Sequence, residues 1–147
     1  MAGYSGTPLV KKLGIKSGFN VAFVNPPGNF VNQLALPQDT NICSASSRRP
    51  LDFALLFVKS KQTLAKQFSV VAARLKPDGM LWVSWPKKAS GVKTDLTDNV
   101  VRELGLSAGL VDVKVCAVDD VWSGLKFVFR LKDRPLLRAR TLQLPAK

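Results

Sequence analysis

An almost unbroken apolar run between Leu51 and Val58 constrains the fold of this chain more than any other feature. A strand with one solvated face alternates apolar and polar residues. A continuous apolar run is instead typical of a strand covered on both faces, as in a parallel sheet. A second apolar run covers residues 80–85. Residues 60–75 between the two have apolar side chains at helical spacing, which predicts a helix with Ser60 as its cap and Leu75 as its last apolar position. The pattern therefore predicts parallel strands packed between helices.

The same alternation of strands and helices extends over most of the chain. We predict a short helix at residues 7–14, another that begins at Pro26 with Asn25 as its cap, and a last helix capped by Thr94 or Asp95. Further strands are predicted at residues 20–24, 41–45, 111–118 and 125–131, the last two as a hairpin.

The expected fold class is α/β, with a three-layer, Rossmann-like, mostly parallel sheet and an antiparallel C-terminal hairpin. We predict a single domain at residues 1–134, followed by a basic tail at residues 135–147.

The composition is strongly basic and contains no histidine. The chain has 22 Lys and Arg against 10 Asp and Glu, a formal net charge of +12, which either keeps the protein in solution or attracts an anionic partner. Cys43 and Cys116 lie far apart in apolar runs with no histidine to activate them. We therefore predict no catalytic residue and no bound metal. The sequence shows neither a signal peptide nor a membrane-spanning run, so we expect a cytoplasmic protein.

Three segments resemble the class I S-adenosylmethionine-dependent methyltransferases. Residues 13–21 are similar to the approach to their first strand, residues 51–55 to a strand opened by an aspartate, and residues 74–83 to a helix–turn–strand segment. With the closing hairpin, the resemblance covers roughly residues 9 to 131. It implies a methyltransferase-like fold, in which a glycine-rich turn after the first strand and an acidic residue at the end of the second hold the cofactor.

Both of those cofactor contacts are missing from this sequence. Pro26 and Pro27 follow the first strand in place of glycines, supply no N–H group and restrict the backbone. Residues 44–47, after the second strand, contain no carboxylate that could hold a ribose. We therefore predict no cofactor, and no ordinary binding of S-adenosylmethionine.

Two later loops contain most of the candidate binding residues. They adjoin strands that should end at one edge of the sheet, where ligands bind in open α/β folds. Lysine and serine side chains there suit a phosphate, and a tryptophan could stack on a ring. The predicted binding residues are Asn25, Trp85, Lys87, Lys88, Ser90, Asp119, Asp120, Trp122 and Ser123. The alternative is purely structural: Asp119 or Asp120 pairs with Lys87 or Lys88, and the tryptophans pack against the sheet.

A second and closer resemblance is to a family of short bacterial proteins catalogued as a domain of unknown function (family 3052). Residues 2–9, 85–91 and 114–125 carry it. It implies a bacterial origin and a cytoplasmic setting, and it adds no activity.

Three functions follow as hypotheses. The first is a non-enzymatic binding or regulatory module for an anionic small molecule or a protein partner. The second is a methyltransferase-like enzyme with an altered cofactor site. The third is weak nucleic-acid binding through a basic surface that combines Arg48, Arg49, Lys87, Lys88 and the tail. No membrane partner is expected.

Overall fold

A six-stranded mixed sheet forms the centre of the computed structural model, which describes residues 8–44 and 47–137. The strands are β1 (Asn20–Val24), β2 (Asn41–Ile42), β3 (Leu51–Phe57), β4 (Leu75–Pro86), β5 (Leu110–Ala117) and β6 (Trp122–Phe129). The α-helices are α1 (Leu9–Leu13), α2 (Lys61–Ala72) and α3 (Asp98–Ser107).

The strand order is β2-β1-β3-β4-β6-β5. The first four strands are parallel, β6 runs antiparallel to β4, and β5 runs antiparallel to β6. The predicted mostly parallel sheet with an antiparallel C-terminal hairpin is confirmed. The carboxyl ends of β1, β3, β4 and β5 and the start of β6 therefore lie at one edge, here called the carboxyl edge. After β1 the chain forms β2 on one side of β1 and then β3 on the other side. The gap between β1 and β3 is therefore the switch point of the sheet.

Strand β3 is buried on both faces, as its sequence predicts. Phe53, Leu55 and Phe57 belong to a core on one face, and Ala54 and Leu56 belong to a core on the other. The polar residue in the run has its own partners at the start of the strand. The Asp52 carboxylate accepts a hydrogen bond from the backbone amide of Asn20 at 2.8 Å and forms an ion pair with Lys76 at 3.0 Å.

Helices α2 and α3 cover one face, here called the α2–α3 face. Phe68 of α2 meets Phe127 of β6 edge to face, with ring centroids 5.4 Å apart. The hydroxyl of Ser60 caps α2 as predicted. The prediction for α3 was wrong, because Thr97 caps that helix, whereas Asp95 accepts a hydrogen bond from the Lys61 amide at the start of α2.

Helix α1 and residues 30–36 cover the other face, here called the α1 face. The Trp82 indole donates a hydrogen bond to the Leu13 carbonyl at 2.9 Å, which fixes the end of α1 on the sheet. The α-helix predicted after β1 is a single 3₁₀ turn, Val31–Gln33. Phe30 packs beside it against Phe57, at a centroid distance of 4.9 Å.

Several element boundaries differ from the sequence prediction: β6 covers Trp122–Phe129 rather than residues 125–131, and β2 ends at Ile42, whereas the predicted strand continued to residue 45. Helix α2 ends at Ala72, and Leu75, predicted as its last apolar position, already pairs with Leu51 as the first residue of β4. The tail boundary after residue 134 stays a prediction: Leu137 packs against the α2–α3 face, and residues 138–147 lie outside the described part of the chain.

The close contact between α3 and β6 generates a stability prediction. A Cβ atom at Gly105 would overlap the Phe127 ring. Gly105→Ala should lower the free energy of unfolding by about 1–2 kcal/mol, because overpacking outweighs the gain of about 1 kcal/mol in helix propensity. Urea unfolding measures this change. Ser107→Ala, at an exposed position of the same helix, should change it by less than about 0.5 kcal/mol. Equal effects of the two variants would contradict the proposed packing.

Candidate functional site

The carboxyl edge brings the two predicted loops together. Pro86 pairs with Trp122 across β4 and β6, and the Lys87 amide donates to the Val121 carbonyl at 2.7 Å. Asn25 lies on the same edge at the end of β1, separated from these loops by β3. The set of predicted binding residues at this edge is here called the rim.

Both rim tryptophans are buried. Trp85 is 5% exposed and belongs to the core of the α2–α3 face, and Trp122 is 8% exposed on the opposite face. The Trp122 ring meets Phe57 edge to face, with centroids 5.1 Å apart. These rings pack the sheet, as the structural alternative expected, and neither presents an open face on which a ligand ring could stack.

The neighbouring aspartates of the rim have different roles. One Asp119 carboxylate oxygen accepts hydrogen bonds from the Val121 and Trp122 amides, each at 2.8 Å, and so closes the turn between β5 and β6. Asp120 is exposed. Within residues 8–44 and 47–137, ion pairs join Lys76 to Asp52 and Arg102 to Asp112. The expected alternative pairing of Asp119 or Asp120 with a rim lysine is not found there.

The rim serines are also used within the fold. The Ser90 hydroxyl donates to the Lys87 carbonyl at 2.7 Å and accepts from the Val92 amide at 3.1 Å. The Ser123 carbonyl accepts a hydrogen bond from the buried Ser84 hydroxyl at 2.7 Å. Lys87 is half-buried and Lys88 is exposed, so these two lysines are the rim groups best placed to meet an anion from solvent.

The switch point is crossed by the Asn25 side chain. Its amide nitrogen donates to the Phe57 carbonyl at 3.1 Å and to the Gln67 side-chain oxygen at 2.7 Å. Asn25 has a φ of 57°, a left-handed conformation that asparagine adopts more readily than most residues. The side chain therefore ties β1 to β3 and α2 in the crevice where a ligand of this fold class would enter.

The backbone amides at the N-terminus of α2 are also bonded by side chains of the protein itself. The N-terminus of α2 opens at the carboxyl edge, where its free amides would attract an anion. There the Asp95 carboxylate accepts from the Lys61 amide at 2.8 Å, and the Ser60 hydroxyl accepts from the Thr63 amide at 3.2 Å. Sequence reasoning missed Asp95, because its contact joins residues 34 positions apart and no local pattern indicates it.

Each cysteine lies near the carboxyl end of its strand and is at least partly buried. Cys43 is buried after β2. Burial raises the pKa of the Cys116 thiol, although the charges of Lys114 and Lys12 act in the opposite direction. Within the described residues, no three acidic, cysteine or histidine side chains are close enough together to hold a metal ion.

The basic residues singled out in the sequence do not form one surface. Arg48 and Arg49 precede β3 at the amino edge, whereas Lys87 and Lys88 follow β4 at the carboxyl edge. A seven-residue strand such as β3 separates those edges by about 20 Å. The tail residues beyond 137 lie outside the described part of the chain.

A cavity of about 420 Å³ opens at the amino edge, away from the rim. It is lined by small and apolar residues that include Ala72, Ala73, Leu110, Phe129 and Leu137. No helix of the described residues is long and apolar enough to cross a membrane.

Comparison with solved structures identifies the architecture. A magnesium protoporphyrin IX methyltransferase from Synechocystis, solved with bound SAH, superposes with a TM-score of 0.55 at 10% identity and covers 83% of this chain and 78% of its own. A SAM-dependent methyltransferase from Aquifex aeolicus gives a TM-score of 0.56 at 15% identity and covers 81% and 86%.

The chain has a methyltransferase-like α/β fold. A TehB-like SAM-dependent methyltransferase from Corynebacterium glutamicum is also similar, with a TM-score of 0.54 at 7% identity over 83% of this chain and 85% of its own. No family model and no curated protein matches the sequence, so the resemblance to family 3052 is not confirmed. Identities this low establish the fold alone.

The turn between β5 and β6 gives a prediction with an internal control. Asp119→Ala leaves two backbone amides without their acceptor and should lower the free energy of unfolding by about 1–2 kcal/mol. Asp120→Ala removes the same charge at an exposed position and should be nearly neutral. Chemical denaturation of both variants tests this, and a neutral Asp119→Ala would show that the carboxylate does not hold the turn.

Proposed function

We propose that this chain is a methyltransferase-like protein with an altered cofactor site at the switch point. It binds an adenosyl-type ligand only when the Asn25 side chain moves out of the crevice between β1 and β3. The similar solved structures are named as methyltransferases, and one of them holds SAH. Their names favour this hypothesis over a purely non-enzymatic module. The observation that carries the alteration is the Asn25 side chain, which spans from β1 to β3 and α2.

Other features of the edge support the same alteration. Pro26 and Pro27 supply no amide to a ligand after β1, and Cys43 and Ser44, which follow β2, carry no carboxylate. A ligand in the crevice would gain fewer hydrogen bonds than in a glycine-rich site, and it would first break those of Asn25. Weak binding by the unmodified protein is the expected consequence.

Removal of the Asn25 side chain tests the proposal as a gain of affinity. Asn25→Gly deletes the amide that crosses the crevice, while glycine keeps the positive φ without strain. The lost bonds to Phe57 and Gln67 are worth about 0.5–1.5 kcal/mol each, so SAH should bind about tenfold more tightly. Isothermal titration calorimetry with SAH and with S-adenosylmethionine measures the change.

A matched variant controls for the backbone effect. Asp39 also has a positive φ, 63°, and lies in an exposed loop before β2. Asp39→Gly should leave the affinity for SAH unchanged. Thermal unfolding of each variant verifies that it is folded. The proposal is wrong if neither the unmodified protein nor folded Asn25→Gly binds SAH at millimolar concentration, or if Asp39→Gly gains as much affinity.

A second candidate is a non-enzymatic module that binds an anionic ligand at the rim. The observation that favours it is that Lys87 and Lys88 stand at the carboxyl edge without an acidic partner among the described residues. Binding of an anion between them would stabilise the folded state by mass action.

Pyrophosphate is a suitable probe for this second candidate. It should raise the melting temperature of the unmodified protein more than that of Lys87→Gln/Lys88→Gln. The control Lys66→Gln/Lys132→Gln removes the same charge from exposed positions in the middle of α2 and after β6 and should respond like the unmodified protein. Equal shifts in all three proteins would exclude the rim as the binding site. Because this assay uses no adenosyl compound, its result is independent of the Asn25 test.

A further inference from the structure

Lysine side chains that are distant in sequence meet on the α1 face, away from the rim. Strand pairing places Lys114 of β5 directly opposite Lys126 of β6. Lys126 is in turn opposite Trp82 of β4, which belongs to the core of the α1 face. Both lysines therefore project on the side of the sheet that carries α1.

Helix α1 and the turn after it add two more lysines. The Trp82 indole holds the Leu13 carbonyl, and the Lys114 ammonium group donates to the Lys12 carbonyl at 3.4 Å. Burial lowers the pKa of Lys126, and the charges of Lys114 and of Lys16, in the turn after α1, lower it further. Lys12, Lys16, Lys114 and Lys126 are here called the lysine patch.

The lysine patch has no acidic counterpart in the described part of the chain. The ion pairs found there involve Lys76 and Arg102, at other positions. Like charges directly opposite each other on antiparallel strands are destabilising, so the pairing of Lys114 with Lys126 costs folding free energy. An anion bound across the two strands would offset that cost.

We propose that the lysine patch binds the phosphate backbone of a nucleic acid independently of base sequence. Lysine ammonium groups are compact point charges that bind phosphate oxygens without the directional fork of arginine, which suits contacts that do not depend on base sequence. Trp82, which lies opposite Lys126, is fully buried, so its ring is not open to a base. The formal net charge of +12 adds long-range attraction to a polyanion.

A membrane surface fits the patch less well. Anionic bilayers are bound by basic groups that combine with inserted apolar side chains. The exposed Val115 is paired with Leu125, and Leu125 faces the α2–α3 side. Val115, the exposed apolar residue that follows Lys114, thus lies on the face opposite the lysines.

The test is fluorescence anisotropy with a labelled 20-base-pair duplex and the corresponding single strand at several salt concentrations. The variant Lys114→Gln/Lys126→Gln removes the cross-strand pair and keeps side chains of similar length. We expect duplex affinity about tenfold weaker at 50 mM salt, and a salt slope smaller by about 2, because two phosphate contacts are lost. Duplexes of different sequence should bind equally.

The control variant is Lys61→Gln/Lys66→Gln, at exposed positions of α2 on the opposite face of the sheet. It lowers the net charge from +12 to +10, the same change as in the test variant, so it measures the effect of charge alone. It should keep most of the affinity. Thermal unfolding verifies both variants, and loss of the like-charge pair should leave the melting temperature of Lys114→Gln/Lys126→Gln equal or higher.

Three results would overturn the proposal. The first is no nucleic-acid binding by the unmodified protein at 50 mM salt. The second is an equal loss of affinity in the two double variants. The third is binding of polyglutamate or phosphatidylserine vesicles with no binding of nucleic acid. The proposal does not rest on the altered cofactor site, since neither SAH nor Asn25 enters the test.

Discussion

Burial of β3 on both faces is the constraint on which the rest of the structure depends. Its odd-numbered residues Phe53, Leu55 and Phe57 require a cover on the α1 face, while Ala54 and Leu56 require one on the α2–α3 face. Helices long enough to form the cover are present on one side only. On the α1 face, the five-residue helix α1 and the irregular segment 30–36 cover the sheet instead. The architecture is therefore a methyltransferase-like fold with one thin layer.

Sequence reasoning recovered this fold because its determinants are local. An apolar run identifies a two-sided strand, and a cap such as Ser60 identifies the start of a helix, without knowledge of distant residues. It failed where the local structure depends on contacts between residues that are distant in sequence. The pattern predicted an α-helix after Pro26, yet the segment forms one 3₁₀ turn whose neighbour Phe30 packs on Phe57. Leu75 fits a helical period equally well, but pairing with Leu51 places it in a strand.

The candidate site was only partly predictable for the same reason. Alternation of strands and helices predicts parallel strands whose carboxyl ends share one edge, so the meeting of the loops around Lys87 and Asp119 at that edge could be expected. The hydrogen-bond partners of the side chains in these loops could not be predicted from the sequence. Asp119 holds its own turn, and Asp95 reaches the N-terminus of α2 from a different loop. A side chain that looks available in the sequence, such as Trp122, is instead part of the core.

The β5–β6 hairpin connects the rim with the lysine patch. Its turn, closed by Asp119, lies at the carboxyl edge, and its middle carries Lys114 opposite Lys126 on the α1 face. An anion at the lysine patch would relieve repulsion within the hairpin and so stabilise the pairing that also holds the turn. Pro86 pairs with Trp122, and the Lys87 amide donates a hydrogen bond to the Val121 carbonyl of that turn. A ligand at the lysine patch and a ligand at the rim would therefore stabilise the same strands.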